Sequence, residues 1–92
     1  MRLHQWAEDL WTIEDAAPLE LGASITFPLR TTILRDASDK LWIHSPVRLD
    51  EALVEQIALC GEVGSIVAPN CFHHLFFTQA QRYFSNAQGY VA

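Results

Sequence analysis

The first half of the chain alternates between apolar and polar residues, and this pattern predicts β-strands. Leu10–Glu14 has the period of two that is typical of a half-buried strand, and Asp15–Pro18 is expected to end it. The β-branched and aromatic stretch Ile25–Arg35 predicts a second strand in two segments. A turn over residues 36–39 then leads into Leu41–His44, which is expected to return as the second strand of a hairpin.

The hydrophobic period changes from two to 3.6 after this hairpin, and the change predicts a helix over Glu51–Cys60. Asp50 is the expected N-cap, because its carboxylate can accept from a free backbone N–H of the first turn. Gly61 is the expected stop. The apolar stripe of this helix consists of Leu49, Leu53, Val54, Ile57 and Cys60.

The last third of the chain predicts a strand, a helix and another strand. Gly64–Pro69 is a short apolar run of the kind that is buried on both faces of a sheet. Thr78 and Gln81 have the spacing of a capping box, which predicts a helix from Thr78 to about Ser85, and Gly89–Ala92 begins a final strand. The fold class is therefore α/β, a β-meander followed by β-α-β-α-β with parallel pairing and right-handed crossovers.

Composition and charge exclude several classes of function. The 92 residues carry a net charge of −5, and the six basic residues are scattered, so we expect no nucleic-acid binding. No secretory signal and no membrane-length apolar run is present, which predicts a cytoplasmic protein without a membrane partner. The spacing of Cys60 and Cys71 fits neither a redox pair nor a zinc finger, and we expect two free thiols.

The candidate chemistry lies in the segment between the buried strand and the second helix. Asn70, His73 and His74 place three polar groups where α/β folds bind ligands, beyond the carboxyl end of a strand. Imidazole is the commonest transition-metal ligand, so His73 and His74 are candidate ligands for zinc or another divalent transition metal. Asn is a poor zinc ligand. In the alternative interpretation, the two histidines only cap or hydrogen-bond the loop.

A family resemblance extends this interpretation. The elements Leu41–Pro46, Ile66–Asn70 and His73-His74, in that order, resemble the front half of a metallo-β-lactamase superfamily domain. More narrowly, Thr31–Ala92 resembles a divergent branch of domain-of-unknown-function proteins beside that superfamily. The resemblance implies the N-terminal half of a metallo-β-lactamase-like αββα sandwich, incomplete in this chain. Residues 1–92 would form one truncated domain, with an irregular lead-in (1–9), a β-meander (10–45) and an α/β portion (46–92).

The resemblance also implies a degenerate metal site. His73-His74 stands where the superfamily has Asp-His, the preceding pair of histidines is missing, and His44 replaces an Asp that usually closes the preceding strand. At most one metal would remain, with further ligands supplied from elsewhere. Any activity would be metal-dependent hydrolysis, and we expect none from this chain alone; its catalytic residues stay unassigned.

Two other functions remain open. The chain is rich in aromatic residues, with three Trp, five Phe and two Tyr, which favours a non-catalytic binding or assembly module that self-associates through an exposed sheet face. We expect a homodimer, formed by pairing or swapping strands at the Tyr90-Val91 end. A nucleophilic enzyme using Ser45 with His44, or Cys71 with His73, is the third option. Neighbouring residues on a strand point to opposite faces, which disfavours the Ser45–His44 pair.

Overall fold

Six strands and two helices follow one another in residues 3–20, 24–69 and 74–91, which are the residues that the computed structural model describes. Side-chain environments are described for residues 3–14, 29–69 and 76–91. The elements are β1 (His4–Ala7), β2 (Leu10–Glu20), β3 (Ser24–Arg35), β4 (Lys40–His44), α1 (Glu51–Cys60), β5 (Glu62–Ala68), α2 (His74–Tyr83) and β6 (Gln88–Val91).

The strands form one mixed sheet in chain order, β1-β2-β3-β4-β5-β6. The first four pair antiparallel, whereas β4, β5 and β6 pair parallel through the two helices. This confirms the predicted β-meander followed by β-α-β-α-β. Because both crossovers advance in the same direction and such crossovers are right-handed, α1 and α2 lie on the same face of the sheet. Neither helix in the described part of the chain is long and apolar enough to cross a membrane.

The strand register sorts side chains into rows that run across the sheet. On the face beneath the helices, one row consists of Trp11, Ile33, Ile43, Ile66 and Gly89. Its four large side chains are at most 5% exposed and belong to the main hydrophobic core, together with Leu53 and Ile57 of α1. Burying that row and the apolar stripe of α1 accounts for the packing of the helix layer on the sheet.

Two long rows of described side chains run across the opposite face of the sheet, and no described helix covers this face. We call it the open face. Its first row consists of His4, Thr12, Thr32, His44, Val67 and Tyr90, and its second row of Leu10, Leu34, Trp42, Ser65 and Gln88.

Several local predictions are confirmed. Leu53 N donates to Asp50 Oδ1 at 2.8 Å, which makes Asp50 the N-cap of α1. Gly61 ends the helix with φ = 155°, a conformation that favours glycine. The predicted hairpin pairs Thr32–Arg35 with Leu41–His44. Its turn is closed by Asp39 N donating to Asp36 O at 3.0 Å.

Three predictions about the strands are wrong. Residues 4–7 of the supposed irregular lead-in form β1, whose Trp6 Nε1 donates to Thr12 Oγ1 of β2 at 2.7 Å. Asp15–Pro18 does not end β2, which continues to Glu20, and β3 is one continuous strand. The two long strands pair along their whole length, so cross-strand hydrogen bonds outweigh the local preferences of these residues.

The predicted start of the second helix is also wrong. The helix begins at His74, four residues before the expected cap Thr78, and ends at Tyr83. Gln81 does not serve a capping box, because its Nε2 donates to Phe84 O at 3.2 Å and to Ala87 O at 2.9 Å. The side chain therefore holds the turn that follows the helix.

Candidate functional site

The carboxyl ends of two neighbouring parallel strands lie at one edge of the sheet, and the candidate site is located there. His44 is the last residue of β4 and is in register with Val67 of β5. The last residue of β5 is Ala68, and the first residue of α2 is His74. Open α/β sheets bind ligands beyond these strand ends, so His44 lies where such a ligand would be reached.

His44 and Ser45 form a side-chain pair at this edge. The Nδ1 atom of His44 lies 3.0 Å from the Oγ atom of Ser45. The prediction that these two side chains point to opposite faces is therefore wrong. The strand ends at His44, and Ser45 adopts φ = 61°, a left-handed conformation that leaves the strand and brings its hydroxyl next to the ring.

The left-handed turn at Ser45 is fixed from three sides. Its backbone N–H donates to Val67 O at 2.8 Å. Its carbonyl accepts from Thr31 Oγ1 at 2.7 Å, and the same Oγ1 accepts from Val47 N at 2.9 Å. Thr31 is fully buried, and Ser45 is only 5% exposed. Such a non-glycine conformation persists only where surrounding contacts determine it, so the backbone that carries His44 is rigid.

The hydrogen bond to Ser45 leaves the second nitrogen of His44 available. The ring is exposed to solvent. In the tautomer whose Nδ1–H donates to Ser45 Oγ, Nε2 keeps a lone pair that can accept a proton or bind a metal. The Ser45 hydroxyl then accepts the hydrogen bond from Nδ1–H, and metal-bound histidines are usually oriented by such an acceptor.

Gln79 connects the second helix to the loop that follows Ser45. Its Nε2 donates to Leu49 O at 3.0 Å, and its Oε1 accepts from Leu49 N at 2.8 Å. One side-chain amide thus satisfies both backbone groups of a buried residue. The contact fixes α2, and with it the position of His74, relative to the chain that leaves β4.

The other predicted site residues lie outside the described part of the structure. Asn70 and His73 fall in the segment 70–73, and the side chain of His74 is likewise outside it. Within the described residues, no group of three or more His, Cys, Asp or Glu side chains could hold a metal ion. The described part does not by itself supply a metal centre, and the prediction for His73 and His74 stays a prediction.

The carboxylates of the hairpin turn and the thiol of Cys60 lie away from this edge. Asp36 and Asp39 lie in the hairpin turn that precedes β4, at the opposite end of this strand from His44. Cys60 is a free, half-buried thiol near the end of α1, and burial raises the pKa of this thiol. A thiol with a raised pKa is a poor nucleophile at neutral pH. Cys71 lies in the segment 70–73.

A shallow hollow that was not predicted from the sequence lies on β1 and β2, at the edge of the sheet that is far from His44. It measures about 430 Å³ and is lined by His4, Trp6, Thr12 and Glu14 on β1 and β2. The His4 and Trp6 rings meet edge to face at 4.5 Å. Glu14 is paired with Arg30 at 2.6 Å. The alternation of His4 and Trp6 in a stretch taken as irregular was the available signal.

These features define a small α/β domain, with a six-stranded mixed sheet in its described part, one helix-covered face and a polar carboxyl edge. The chain belongs to the family described as a domain of unknown function (DUF4336), whose model matches residues 7–92. No curated protein and no solved structure matches the chain.

Proposed function

We propose that this chain is the β-α-β-α-β layer of a divergent, metallo-β-lactamase-like hydrolase domain and that it does not catalyse hydrolysis by itself. The observation that carries the proposal is that His44 ends β4 at the same sheet edge as the carboxyl end of β5, the strand that precedes α2 in the chain. The resemblance of the motifs around His44, Asn70 and His73-His74 supports the same assignment.

The metal of this proposal would be zinc or another divalent transition metal, held through His73 and His74. When bound, such a cation lowers the pKa of a coordinated water. Two histidines are fewer than the three protein ligands of a usual catalytic zinc site. Further ligands must therefore come from residues other than His73 and His74. For this reason, we expect no hydrolysis by the chain alone. We also propose a cytoplasmic location, where a free thiol such as Cys60 stays reduced.

Metal analysis tests this proposal. The purified chain is assayed for zinc, manganese and iron and is then titrated with zinc, beside the His73→Ala/His74→Ala variant. We expect stoichiometric binding that the double variant loses. His4→Ala is the matched control, because His4 is an exposed histidine in the same row as His44, three strands or roughly 14 Å away.

The two outcomes of the titration lead to different conclusions. Binding that survives in His4→Ala and is lost in the double variant supports the site, and hydrolysis of a chromogenic β-lactam should still stay at the background of the double variant. Binding no stronger than that of the double variant would contradict the metal site.

A second candidate function is a non-catalytic assembly module that self-associates through the open face. One observation favours it. Trp42 and Tyr90 lie on this face, 37% and 48% exposed, and their rings stack at 6.0 Å with an interplanar angle of 11°. Exposed aromatic side chains that are already ordered against each other cost little further entropy when a partner covers them.

A further inference from the structure

A single buried hydroxyl holds the chain where it leaves β4. Thr31 of β3 is fully buried. Its Oγ1 donates to the carbonyl of Ser45 at 2.7 Å and accepts from the backbone N–H of Val47 at 2.9 Å, and both hydrogen bonds are buried. Pro46, between them, is also buried and has no N–H to offer. The path of residues 45–47 therefore depends on Thr31, because buried backbone groups need a partner.

The conformation of Ser45 indicates that its side chain has a role. Among the described residues other than glycine, Asp39 and Ser45 alone have a positive φ. Asp39 lies exposed in the hairpin turn, and aspartate tolerates this conformation. Ser45 is buried, and glycine would adopt its φ of 61° without strain. A strained residue that its surroundings hold in place is typical of a functional position.

The Ser45 hydroxyl can accompany the His44 ring through a change of partner. It lies 3.0 Å from Nδ1 of that ring. A hydroxyl can either donate to a ring nitrogen or accept from a ring N–H. The contact at Nδ1 is therefore kept whether Nε2 carries a hydrogen or a lone pair, whereas a carbonyl at this place could only accept. Nε2 is thus the ring atom that can exchange its partner while the ring stays in place.

The support of this ring comes from three neighbouring strands. Thr31 belongs to β3, and His44 is the last residue of β4. One residue further on, the N–H of Ser45 donates to the carbonyl of Val67 in β5 at 2.8 Å. The backbone on both sides of the Ser45 side chain is therefore fixed, and the ring of His44 is held at the carboxyl end of β4.

We propose that Thr31 and Ser45 are positioning residues for His44 and that they hold its Nε2 ready for a ligand at the carboxyl edge of β4 and β5. Thr31 acts through the backbone of Ser45, and Ser45 acts through its hydroxyl on Nδ1. For the identity of the ligand, a divalent transition metal, the inference rests on the proposed function. His44 would supply one of the ligands that the metal needs besides His73 and His74.

Nitrogen NMR of the His44 ring in the metal-free chain tests the positioning. Thr31→Val removes the hydroxyl and keeps the shape of the side chain, whereas Thr31→Ser keeps the hydroxyl. We expect the His44 ring signals to shift in the first variant and to keep their wild-type positions in the second. Thr12→Val is the matched control and should leave the His44 signals in place. Thr12 is also buried, and its hydroxyl accepts from Trp6 Nε1, far from His44 on β2.

A zinc titration of the same variants gives the second readout. Loss of the partner that orients a metal-bound histidine weakens metal binding roughly 10- to 100-fold, so we expect this loss in Thr31→Val and not in Thr12→Val. Ser45→Gly removes the hydroxyl and adopts the left-handed backbone without strain. It should shift the His44 signals and weaken zinc binding in the same way, and it decides the question if Thr31→Val does not fold. Circular dichroism verifies the fold of each variant.

The outcomes separate the positioning from the metal site. His44 signals that stay unchanged in Ser45→Gly, or that respond equally to Thr31→Val and Thr12→Val, would overturn the positioning. Zinc binding that the His73→Ala/His74→Ala variant loses and Ser45→Gly keeps in full would overturn the role of His44 as a ligand and leave the proposed function intact. A chain that binds no zinc contradicts the proposed function and the ligand role together, while the metal-free spectra still decide the positioning.

Discussion

Gly89 of β6 leaves the space that the ring of Phe77 occupies. A Cβ atom at position 89 would lie 2.5 Å from Phe77 Cζ and 2.7 Å from Gln81 Oε1. Gly89 ends the buried row beneath the helices, so the close approach of α2 to the sheet depends on the missing side chain. This contact determines how α2, and therefore its first residue His74, is seated on the sheet.

Gly89→Ala should destabilise the fold by about 1–3 kcal/mol, because it overpacks this contact. Urea unfolding followed by circular dichroism measures the effect. Phe77→Leu removes the ring atoms that clash and is the matching second-site change. The double variant should be more stable than the sum of the two single effects predicts. Strict additivity would show that the two residues do not compete for the same space.

Gln79→Ala should cost about 1–3 kcal/mol, because it leaves the backbone N–H and C=O of the buried Leu49 without their partners. The free energy of unfolding from urea titrations gives the comparison. Gln88→Ala is the control, since Gln88 makes only an exposed hydrogen bond, to Gly89 O. It should change stability by less than about 0.5 kcal/mol. Equal effects of the two substitutions would refute the role given to Gln79.

Ser45→Gly should be more stable than Ser45→Ala by about 1 kcal/mol. Both variants lose the hydroxyl that contacts His44, but only alanine keeps a Cβ at φ = 61°. Urea unfolding of the two variants supplies the difference. Nitrogen NMR of the His44 ring supplies a second readout, because both variants should change the tautomer ratio. Identical unfolding free energies would mean that the backbone at position 45 relaxes in the variants.

The stability of the hairpin turn should depend on pH through Asp36. The indole N–H of Trp42, donating to Asp36 Oδ2 at 2.9 Å, and the backbone N–H of Lys40 lower the pKa of this carboxyl below its ordinary 3.8. A lowered folded pKa means stabilisation that is fully present above pH 3.8 and is lost as the pH falls through the folded pKa. Asp36→Asn should remove this acid-dependent loss.

Urea midpoints of wild type and Asp36→Asn, measured from about pH 5 down to about pH 2, test this dependence. The wild-type midpoint should fall more steeply at the acid end than that of the variant. Parallel curves would mean that the carboxyl of Asp36 contributes no pH-dependent stability.

The fold was predictable where one local signal dominates. Asp50 and the apolar stripe of α1 are local signals that predict a helix over Glu51–Cys60, and the prediction was correct at both ends. The hairpin turn at residues 36–39 was equally well determined. The start of α2 was not, because Thr78 and Gln81 have the spacing of a cap while the helix begins at His74.

The candidate site was predictable only in part, because its key contact depends on tertiary structure. The alternation of strand residues places His44 and Ser45 on opposite faces, and only the left-handed turn brings them together. That turn depends on Thr31, which lies 14 residues away in sequence. In the same way, the row from His4 to Tyr90 is defined by the pairing of all six strands and by no local pattern.

Histidine-ring NMR during a zinc titration tests the central claim, a metal site at the carboxyl edge of β4 and β5, most directly. The account predicts that the ring signals of His73 and His74 change on binding and that His44, at the same edge, changes with them. The signal of His4, in the same row but at the far side of the sheet, should stay in place. Rings that all remain unchanged, or a response of His4 as large as that of His74, would contradict the account.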